Sequence, residues 1–315
     1  MRGEHPITVR NNKVQIKLPI RRNLTILQGN SATGKTTLIG LIAQYEELGE
    51  SSGVVINCDA PCRVLSGRNW ERDLESIENS IVFVDEDNAF IKTHEFAHAA
   101  RHSSNYYVLV AREALPQLPY SVDEIYGLRN TTRSSSKYPA YNRVHTSVYR
   151  IFGSLAFDGG RPEVVIVEDS NSGYEFYRAL CEKSGIRCVS AEGKSNIYSM
   201  VRESSENDIL VIAEMAYVTS LARFKNVRLF LPESFEWLVL NSSLFNDART
   251  RDILLNPADY IESADFFSWE QFFTKELIEV TADTYLAYRK KSLNTAYLQP
   301  KEMAALKKAL PDLGL

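Results

Sequence analysis

Residues 29–36 combine two glycines, a lysine and a threonine at the spacing of a phosphate-binding loop, G-x-x-x-x-G-K-S/T. Glycines let backbone N–H groups turn toward a β-phosphate, and the N-terminus of a following helix adds partial positive charge. Lys35 is therefore expected to reach the β- and γ-phosphates of a nucleoside triphosphate, and the Thr36 hydroxyl to ligate Mg2+. The residues predicted to contact this ligand are Gly29, Asn30, Ser31, Ala32, Thr33, Gly34, Lys35, Thr36 and Thr37.

Two carboxylates follow the apolar segment 81–84, at Asp85 and Glu86. A strand that ends in two acids is the usual second half of a triphosphate site, in which Asp85 would hold Mg2+ and Glu86 would polarise the attacking water. Arg112 follows the next apolar segment, and it is expected either to sense the γ-phosphate or to be a solvated loop arginine. Lys35 and Glu86 are thus candidate catalytic residues, with ATP and Mg2+ as cofactors, and GTP remains an alternative to ATP.

The elements that must position these residues alternate short apolar segments with helical ones through the first 130 residues. This alternation predicts a parallel sheet covered on both faces. One predicted strand, Leu24–Leu27, leads into the phosphate-binding loop, and one predicted helix, Thr36–Leu48, leads out of it. The pair Asn11-Asn12 predicts a hairpin turn. The other predicted strands are Ile7–Val9, Val14–Leu18, Val54–Ile56, Ile81–Val84, Tyr106–Val110 and Glu124–Leu128, and a second helix is predicted at Thr93–Ala100.

A second alternation begins at residue 163, and acids again follow its apolar strands. Glu168 comes after one strand and Glu214 after a later one, with a glycine turn at Gly193 between them. In a doubly wound sheet, acids at the carboxyl ends of neighbouring parallel strands converge at one crevice, where they can hold Mg2+ and act on a phosphodiester. Repulsion between two carboxylates so near each other should raise the pKa of at least one of them. Glu233 or Glu236 could add a further ligand.

Both halves resemble known families. The first resembles the ATPase cores of the ABC and recombination-ATPase type. The order Glu168, glycine turn, Glu214 resembles a Toprim domain, which implies a nuclease metal site with Glu168 and Glu214 as catalytic and metal-binding residues. An ATPase followed by a Toprim domain is also the order in overcoming-lysogenization-defect nucleases, and the whole chain resembles small bacterial ATP-binding proteins of mobile elements. The chain departs from the Toprim pattern at Asp169, where glycine is usual, and at Glu214-Met215-Ala216, where Asp-x-Asp is usual.

The predicted architecture is α/β: a P-loop NTPase parallel sheet, then a second, Toprim-like α/β domain, then a helical C-terminal region. We expect an ATPase domain at 1–130, a polar linker at 131–162, the Toprim-like domain at 163–240 and the helical extension at 241–315. Aromatic and basic residues in and beside the linker predict either a nucleic-acid surface or a solvated connection. They are Arg133, Lys137, Tyr138, Tyr141, Arg143, Tyr149 and Arg150.

Length and composition narrow the class of protein. A chain of 315 residues suits about two domains. The net charge of -4 excludes a global basic field that would draw the whole protein to nucleic acid or anionic lipid. Four cysteines in a chain of this length indicate a reducing cytosol, and no apolar segment approaches the ~18 residues of a membrane span. We therefore predict a cytoplasmic protein without a membrane partner.

Two further motifs have competing interpretations. His94-Glu95-Phe96-Ala97-His98 fits the zinc-protease pattern H-E-x-x-H, but a helix that covers the ATPase sheet is the preferred interpretation. Cys58 and Cys62 are either half of a zinc site or ordinary thiols, and the latter is preferred because no second Cys/His pair follows at finger spacing.

Two functional hypotheses follow from these patterns. In the first, ATP binding or hydrolysis gates a Toprim-like metal-dependent nuclease or nucleic-acid-binding domain, in defence against phage or mobile elements. In the second, the chain is an ATP-dependent regulatory switch whose Toprim-like domain is catalytically inactive and only binds a partner or nucleic acid. The expected partners are ATP, with DNA or RNA, a partner protein or a second copy of the chain left open.

Overall fold

The computed structural model of the chain describes residues 1–29, 33–131, 144–152, 160–214 and 216–315. It divides into two compact units: unit 1 comprises Met1–Gly153 and Pro257–Phe267, and unit 2 comprises Ser154–Asn256 and Ser268–Leu315.

This division differs from the predicted domain boundaries in two places. Part of the predicted linker, Val144–Arg150, is a strand of unit 1. The predicted C-terminal extension is not one separate region, because Pro257–Phe267 belongs to unit 1 and the rest belongs to unit 2. The Gly3 N–H donates to the Ala258 carbonyl at 2.7 Å, and the Ser263 N–H donates to the Met1 carbonyl at 2.8 Å. These long-range backbone hydrogen bonds have no local sequence pattern, so the sequence gives no sign that Pro257–Phe267 joins unit 1.

Among the described residues, nine strands of unit 1 form one mixed sheet in the order β4-β1-β2-β9-β8-β3-β7-β6-β5. The strands are β1 (Ile7–Arg10), β2 (Val14–Leu18), β3 (Leu24–Leu27), β4 (Val55–Asn57), β5 (Cys62–Val64), β6 (Ile81–Val84), β7 (Tyr106–Val110), β8 (Ile125–Thr131) and β9 (Val144–Arg150). The α-helices are α1 (Lys35–Leu48), α2 (Trp70–Glu75) and α3 (His94–Arg101).

The predicted parallel sheet is present as the five consecutive strands β8-β3-β7-β6-β5, which all pair in parallel. The whole sheet is mixed, because β1 pairs antiparallel with β2 and β4, and β9 pairs antiparallel with β8. The predicted hairpin at Asn11-Asn12 is confirmed, and the Asn11 side chain accepts hydrogen bonds from the Lys13 and Val14 N–H groups at 2.8 Å. Every residue of β3, β6 and β7 is buried, as expected for strands covered on both faces.

Unit 2 contains a parallel sheet with the order β11-β10-β12-β13 in its described part. The strands are β10 (Val164–Val167), β11 (Arg187–Ser190), β12 (Ile209–Ile212) and β13 (Val227–Phe230). The chain runs from β10 outward to β11 and then returns to the other side of β10 to form β12. This reversal is a topological switch point, where the carboxyl ends of β10 and β12 open a crevice.

The helices of unit 2 are α4 (Ser172–Ser184), α5 (Lys194–Glu203), α6 (Phe235–Leu240), α7 (Ala248–Leu255), α8 (Trp269–Thr281) and α9 (Pro300–Ala309). Three of them start at side-chain caps: the Ser234 hydroxyl accepts from the Trp237 N–H at 3.0 Å, the Asp247 carboxylate accepts from the Thr250 N–H at 2.8 Å, and Ser268 forms a capping box with Gln271. The caps of α6 and α8 fix where these two helices begin, and therefore where the acids of their first turns lie. None of the helices in the described ranges is long and apolar enough to cross a membrane.

Candidate functional site

Residues 29–36, the predicted phosphate-binding segment, follow β3 and include the first two residues of α1. Gly29 has φ +128° and Gly34 has φ +102°, backbone conformations that L side chains rarely adopt. Glycine is therefore required at both ends of the segment. The predicted contact residues Asn30, Ser31 and Ala32 lie outside the described residues.

Lys35 is the first residue of α1 and is only 7% exposed. Its Nζ donates to the Gly29 carbonyl at 2.8 Å and to the Thr33 hydroxyl at 3.2 Å. The N-cap residue Gly34 offers no side chain to the first N–H groups, and the first turn carries no acid within the described residues. Thr36 and Thr37 are exposed in the same turn. The first turn of the helix thus contains backbone N–H groups, a lysine and two hydroxyls, which suits a phosphate.

Glu86 and Arg112 form an ion pair across the ends of β6 and β7. The Arg112 Nε donates to Glu86 Oε2 at 2.8 Å, and a guanidinium Nη2 donates to Oε1 of the same carboxylate. This hydrogen-bonded guanidinium holds the pKa of Glu86 below its usual range. The neighbouring Asp85 accepts the Glu86 N–H through Oδ1 at 2.8 Å. Glu86 is therefore held in one orientation as an ionised carboxylate.

The ends of three adjacent strands bring the predicted residues of this site together. Burial lowers the pKa of Lys35, and the charges that act on this ammonium are those of Glu86, Arg112 and Asp85. β7 lies between β3 and β6 in the sheet, so Arg112 stands between the lysine and the two acids along the sheet edge. The sequence named all four residues, but it did not predict the Glu86–Arg112 pair, because two strand-end side chains carry no pairing signal.

Glu168 and Glu214 lie at the carboxyl ends of neighbouring strands in unit 2. β10 and β12 pair in parallel, with Val167 opposite Ile212. Glu168 Oε2 accepts the Glu214 backbone N–H at 3.2 Å, and Glu214 Oε1 accepts the Phe235 N–H at 2.8 Å. Both glutamates line one cavity of about 300 Å³ at the switch point.

This cavity, hereafter the acidic pocket, is lined by carboxylates from several elements. Its described lining has one lysine, Lys290, and six acids: Glu168, Asp169, Glu192, Glu214, Glu236 and Glu270. Glu236 comes from α6, and it was one of two acids expected to add a ligand. The other, Glu233, is outside this lining. Glu270 was not predicted, since nothing local distinguishes it from any acid in the first turn of a helix.

Each of the deeper acids of the pocket contacts a protein donor. The Tyr288 hydroxyl donates to Glu236 Oε1 at 2.8 Å and lies 2.7 Å from the Ser172 hydroxyl. Lys290 forms an ion pair with Glu270. Burial by itself lowers the pKa of the Lys290 ammonium. The nearby carboxylates of Glu270, Glu236 and Glu214 have the larger combined effect, so the pKa is raised.

The expected raised pKa in this pocket belongs to Glu214. Burial raises it well above the usual range, and repulsion from Glu270 and then Glu236 adds to the effect. The predicted cause was repulsion between Glu168 and Glu214, whereas burial is the largest cause of this shift. In the described residues, no three His, Cys, Asp or Glu side chains form a group that could hold a metal ion.

Comparison with known proteins gives no family for the chain. No protein-family model matches it, and no curated protein matches it.

The H-E-x-x-H motif lies on α3, which packs Phe96, Ala97 and Ala100 against unit 1. His94, Glu95 and His98 are exposed on the other side, and the Thr93 hydroxyl caps the helix by accepting the Phe96 N–H at 3.2 Å. The helix therefore covers the sheet with one face and presents the motif to solvent with the other, as the preferred interpretation requires.

Replacing both His94 and His98 with alanine should leave nucleotide binding and stability almost unchanged. Exposed substitutions of this kind usually change the free energy of unfolding by at most about 0.5 kcal/mol. Thermal melting, zinc content and peptide hydrolysis of the two proteins would be compared. Stoichiometric zinc that disappears in the double variant together with a peptidase activity would contradict the assignment.

The cysteine pair Cys58 and Cys62 contains free thiols. A hydrogen bond from Cys62 lowers the pKa of Cys58 to about 7, which favours the Cys58 thiolate. Cys181 and Cys188 are also free, with Cys181 buried on α4.

Proposed function

We propose that the protein binds ATP with Mg2+ through residues 29–36 of unit 1 and hydrolyses it, as a P-loop nucleoside triphosphate hydrolase. One observation carries this proposal: β3, β7 and β6 are neighbouring parallel strands, so Lys35 at the start of α1, the acids Asp85 and Glu86 after β6, and Arg112, which donates to Glu86, follow strand ends at one edge of the sheet. A cation, a hydroxyl-bearing helix N-terminus and an oriented carboxylate are the components that phosphoryl transfer to water requires.

Each side chain has a distinct role in this proposal. Lys35 leaves the Gly29 carbonyl and the Thr33 hydroxyl and binds phosphate oxygens instead. The Thr36 hydroxyl and the Asp85 carboxylate are hard oxygen donors that fit Mg2+. Bound Mg2+ would offset charge on the β- and γ-phosphates. Glu86 accepts the proton of the attacking water, and Arg112 orients Glu86 and senses the γ-phosphate.

The strand order supports the same class. ATPases of the ABC and recombination type, which this half of the chain resembles, have an additional strand between the strand of the phosphate loop and the strand of the paired acids. β7 occupies this position between β3 and β6. Arg112 follows β7, which favours the sensor interpretation over a solvated loop arginine.

For unit 2 we propose the second of the two hypotheses, a Toprim-like domain that binds a ligand or partner without metal-dependent cleavage. Three of its acids, Glu168, Glu214 and Glu236, already accept N–H or O–H groups of the protein. Glu270, another of the six acids, is paired with Lys290. In the part of the chain that the structure describes, no three His, Cys, Asp or Glu side chains are grouped so that they could hold a metal ion. A nuclease remains the competing proposal.

One experiment tests both statements. The protein is incubated with ATP, Mg2+ or Mn2+, and a panel of DNAs and RNAs, while phosphate release and strand cleavage are followed separately. We expect phosphate release that depends on ATP and metal, and no strand cleavage. Absence of phosphate release would contradict the ATPase proposal, and metal-dependent cleavage would replace the binding proposal with the nuclease.

A further inference from the structure

The acidic pocket of unit 2 has the position of a ligand site. It lies at the carboxyl ends of β10 and β12, where the strand order reverses, which is the usual place for ligands in open parallel sheets. Its volume of about 300 Å³ would hold a molecule of a few heavy atoms. This inference concerns unit 2 alone and does not rest on the ATPase proposal.

The excess of acidic side chains in the lining favours a positively charged ligand. Six carboxylates and one lysine surround the cavity in the described part of the chain. Partly buried carboxylates are stable only if cations, hydrogen-bond donors or protons compensate them. Lys290 compensates Glu270, and it shows that an alkylammonium group fits against this wall.

The floor of the pocket carries an unsatisfied polar group. Tyr177 is 2% exposed, lines the cavity, and its hydroxyl has no hydrogen-bond partner in the structure as described. Buried hydroxyls without a partner are uncommon in folded proteins and point to a missing ligand or water. Glu214 is close enough to act electrostatically on this hydroxyl. The Glu214 carboxylate and the Tyr177 hydroxyl thus offer a hydrogen-bond acceptor and a hydrogen-bond donor in the lining of the pocket.

The same floor is aromatic. Tyr177, Phe235 and Tyr288 all line the cavity, and the ring centroids of Phe235 and Tyr288 are 6.4 Å apart. Aromatic faces attract organic cations, and they offer no ligand to a divalent metal ion. An ammonium group has three N–H donors, so it can be shared among several carboxylates at once.

We propose that the acidic pocket is a binding site for a small organic cation with a primary ammonium group. The Lys290 ammonium of the protein occupies one wall, and the ammonium of the ligand binds beside Tyr177. The ammonium donates to Glu214 and Glu236, the Tyr177 hydroxyl pairs with the ligand, and its carbon chain lies along Phe235 and Tyr288.

The test measures binding of 1,4-diaminobutane and of Mn2+ to the full chain by calorimetry at neutral pH and low salt. We expect one diamine per chain and no saturable Mn2+ binding. Tyr177→Phe should weaken diamine binding by about tenfold, since one hydrogen bond to a charged or polar partner is lost. Lys290→Met should strengthen it severalfold, because a competing ammonium is removed.

Lys275→Met is the matched control, because Lys275 lies on α8, pairs with Glu279 at 3.8 Å and is outside the lining of the pocket. It should leave diamine binding unchanged. Stoichiometric Mn2+ binding by the wild-type protein, or no binding of the diamine, would overturn the proposal. Equal diamine affinity in wild type and Tyr177→Phe would also overturn it, and this variant is conservative enough to fold even where Lys290→Met does not.

Discussion

Lys35→Ala is expected to weaken Mg-ATP binding by at least about 100-fold, which corresponds to about 2.8 kcal/mol. Hydrogen bonds from a charged group contribute roughly 1.5–3 kcal/mol each, and Lys35 is expected to make them to two phosphates. Calorimetry with Mg-ATP measures the change directly. The fold should survive, because burial lowers the pKa of this ammonium and so disfavours its charged form.

A control for this variant is Lys92→Ala. Lys92 pairs with Glu113 at 2.8 Å, and both side chains are more than half exposed. The charge change is the same, but Lys92 is not part of the proposed phosphate contacts. Unchanged ATP affinity in Lys35→Ala, or an equal loss in both variants, would contradict the assignment of Lys35. Thermal melting of each protein separates lost binding from lost structure.

Glu86→Gln is expected to bind ATP with nearly the wild-type affinity and to hydrolyse it about 100- to 10,000-fold more slowly. The range is that of a lost general base. Glutamine keeps an oxygen that can accept from Arg112, so the orientation of the side chain at the end of β6 should persist. It cannot take the proton of the attacking water. Single-turnover phosphate release, measured at saturating Mg-ATP, isolates this step from binding.

Glu113→Gln provides the matched comparison. Glu113 lies in the same shallow cleft as Glu86 and loses the same charge on substitution, but it contacts Lys92 rather than Arg112. Its turnover should stay close to wild type. A Glu86→Gln protein that hydrolyses ATP at the wild-type rate would show that another group polarises the water.

The residues of the proposed phosphate site in unit 1 were predictable from sequence because the pattern that names them is local. A glycine with positive φ at each end, a lysine and a threonine must occupy fixed positions in one short segment, and the flanking strand and helix have strong patterns of their own. The strands β3, β6 and β7 were equally visible, since strands buried on both faces are continuous apolar segments. Their parallel pairing followed from the alternation with helices.

Side-chain pairing at this site was not predictable. Glu86 and Arg112 were predicted separately as site residues. Their ion pair depends on the parallel pairing of β6 with β7 and on the register of that pairing, which the sequence does not show. The extension of the sheet by β9 was also missed, because Val144–Arg150 follows a polar segment and reads as part of a linker. The return of Pro257–Phe267 to unit 1 rests on backbone hydrogen bonds to the N-terminal residues, which no composition signals.

By itself, the sequence determined the proposed phosphate loop, the strands that precede Asp85, Glu86, Glu168 and Glu214, and the presence of two α/β units, because each depends on residues close together in the chain. Only the tertiary structure decided what surrounds Glu168 and Glu214. Glu236, Glu270 and Lys290 reach the acidic pocket from α6, α8 and the segment after α8, through packing that has no periodicity in the sequence. These distant residues supply both negative charge and the ammonium that meets it, and the proposed cation site depends on them.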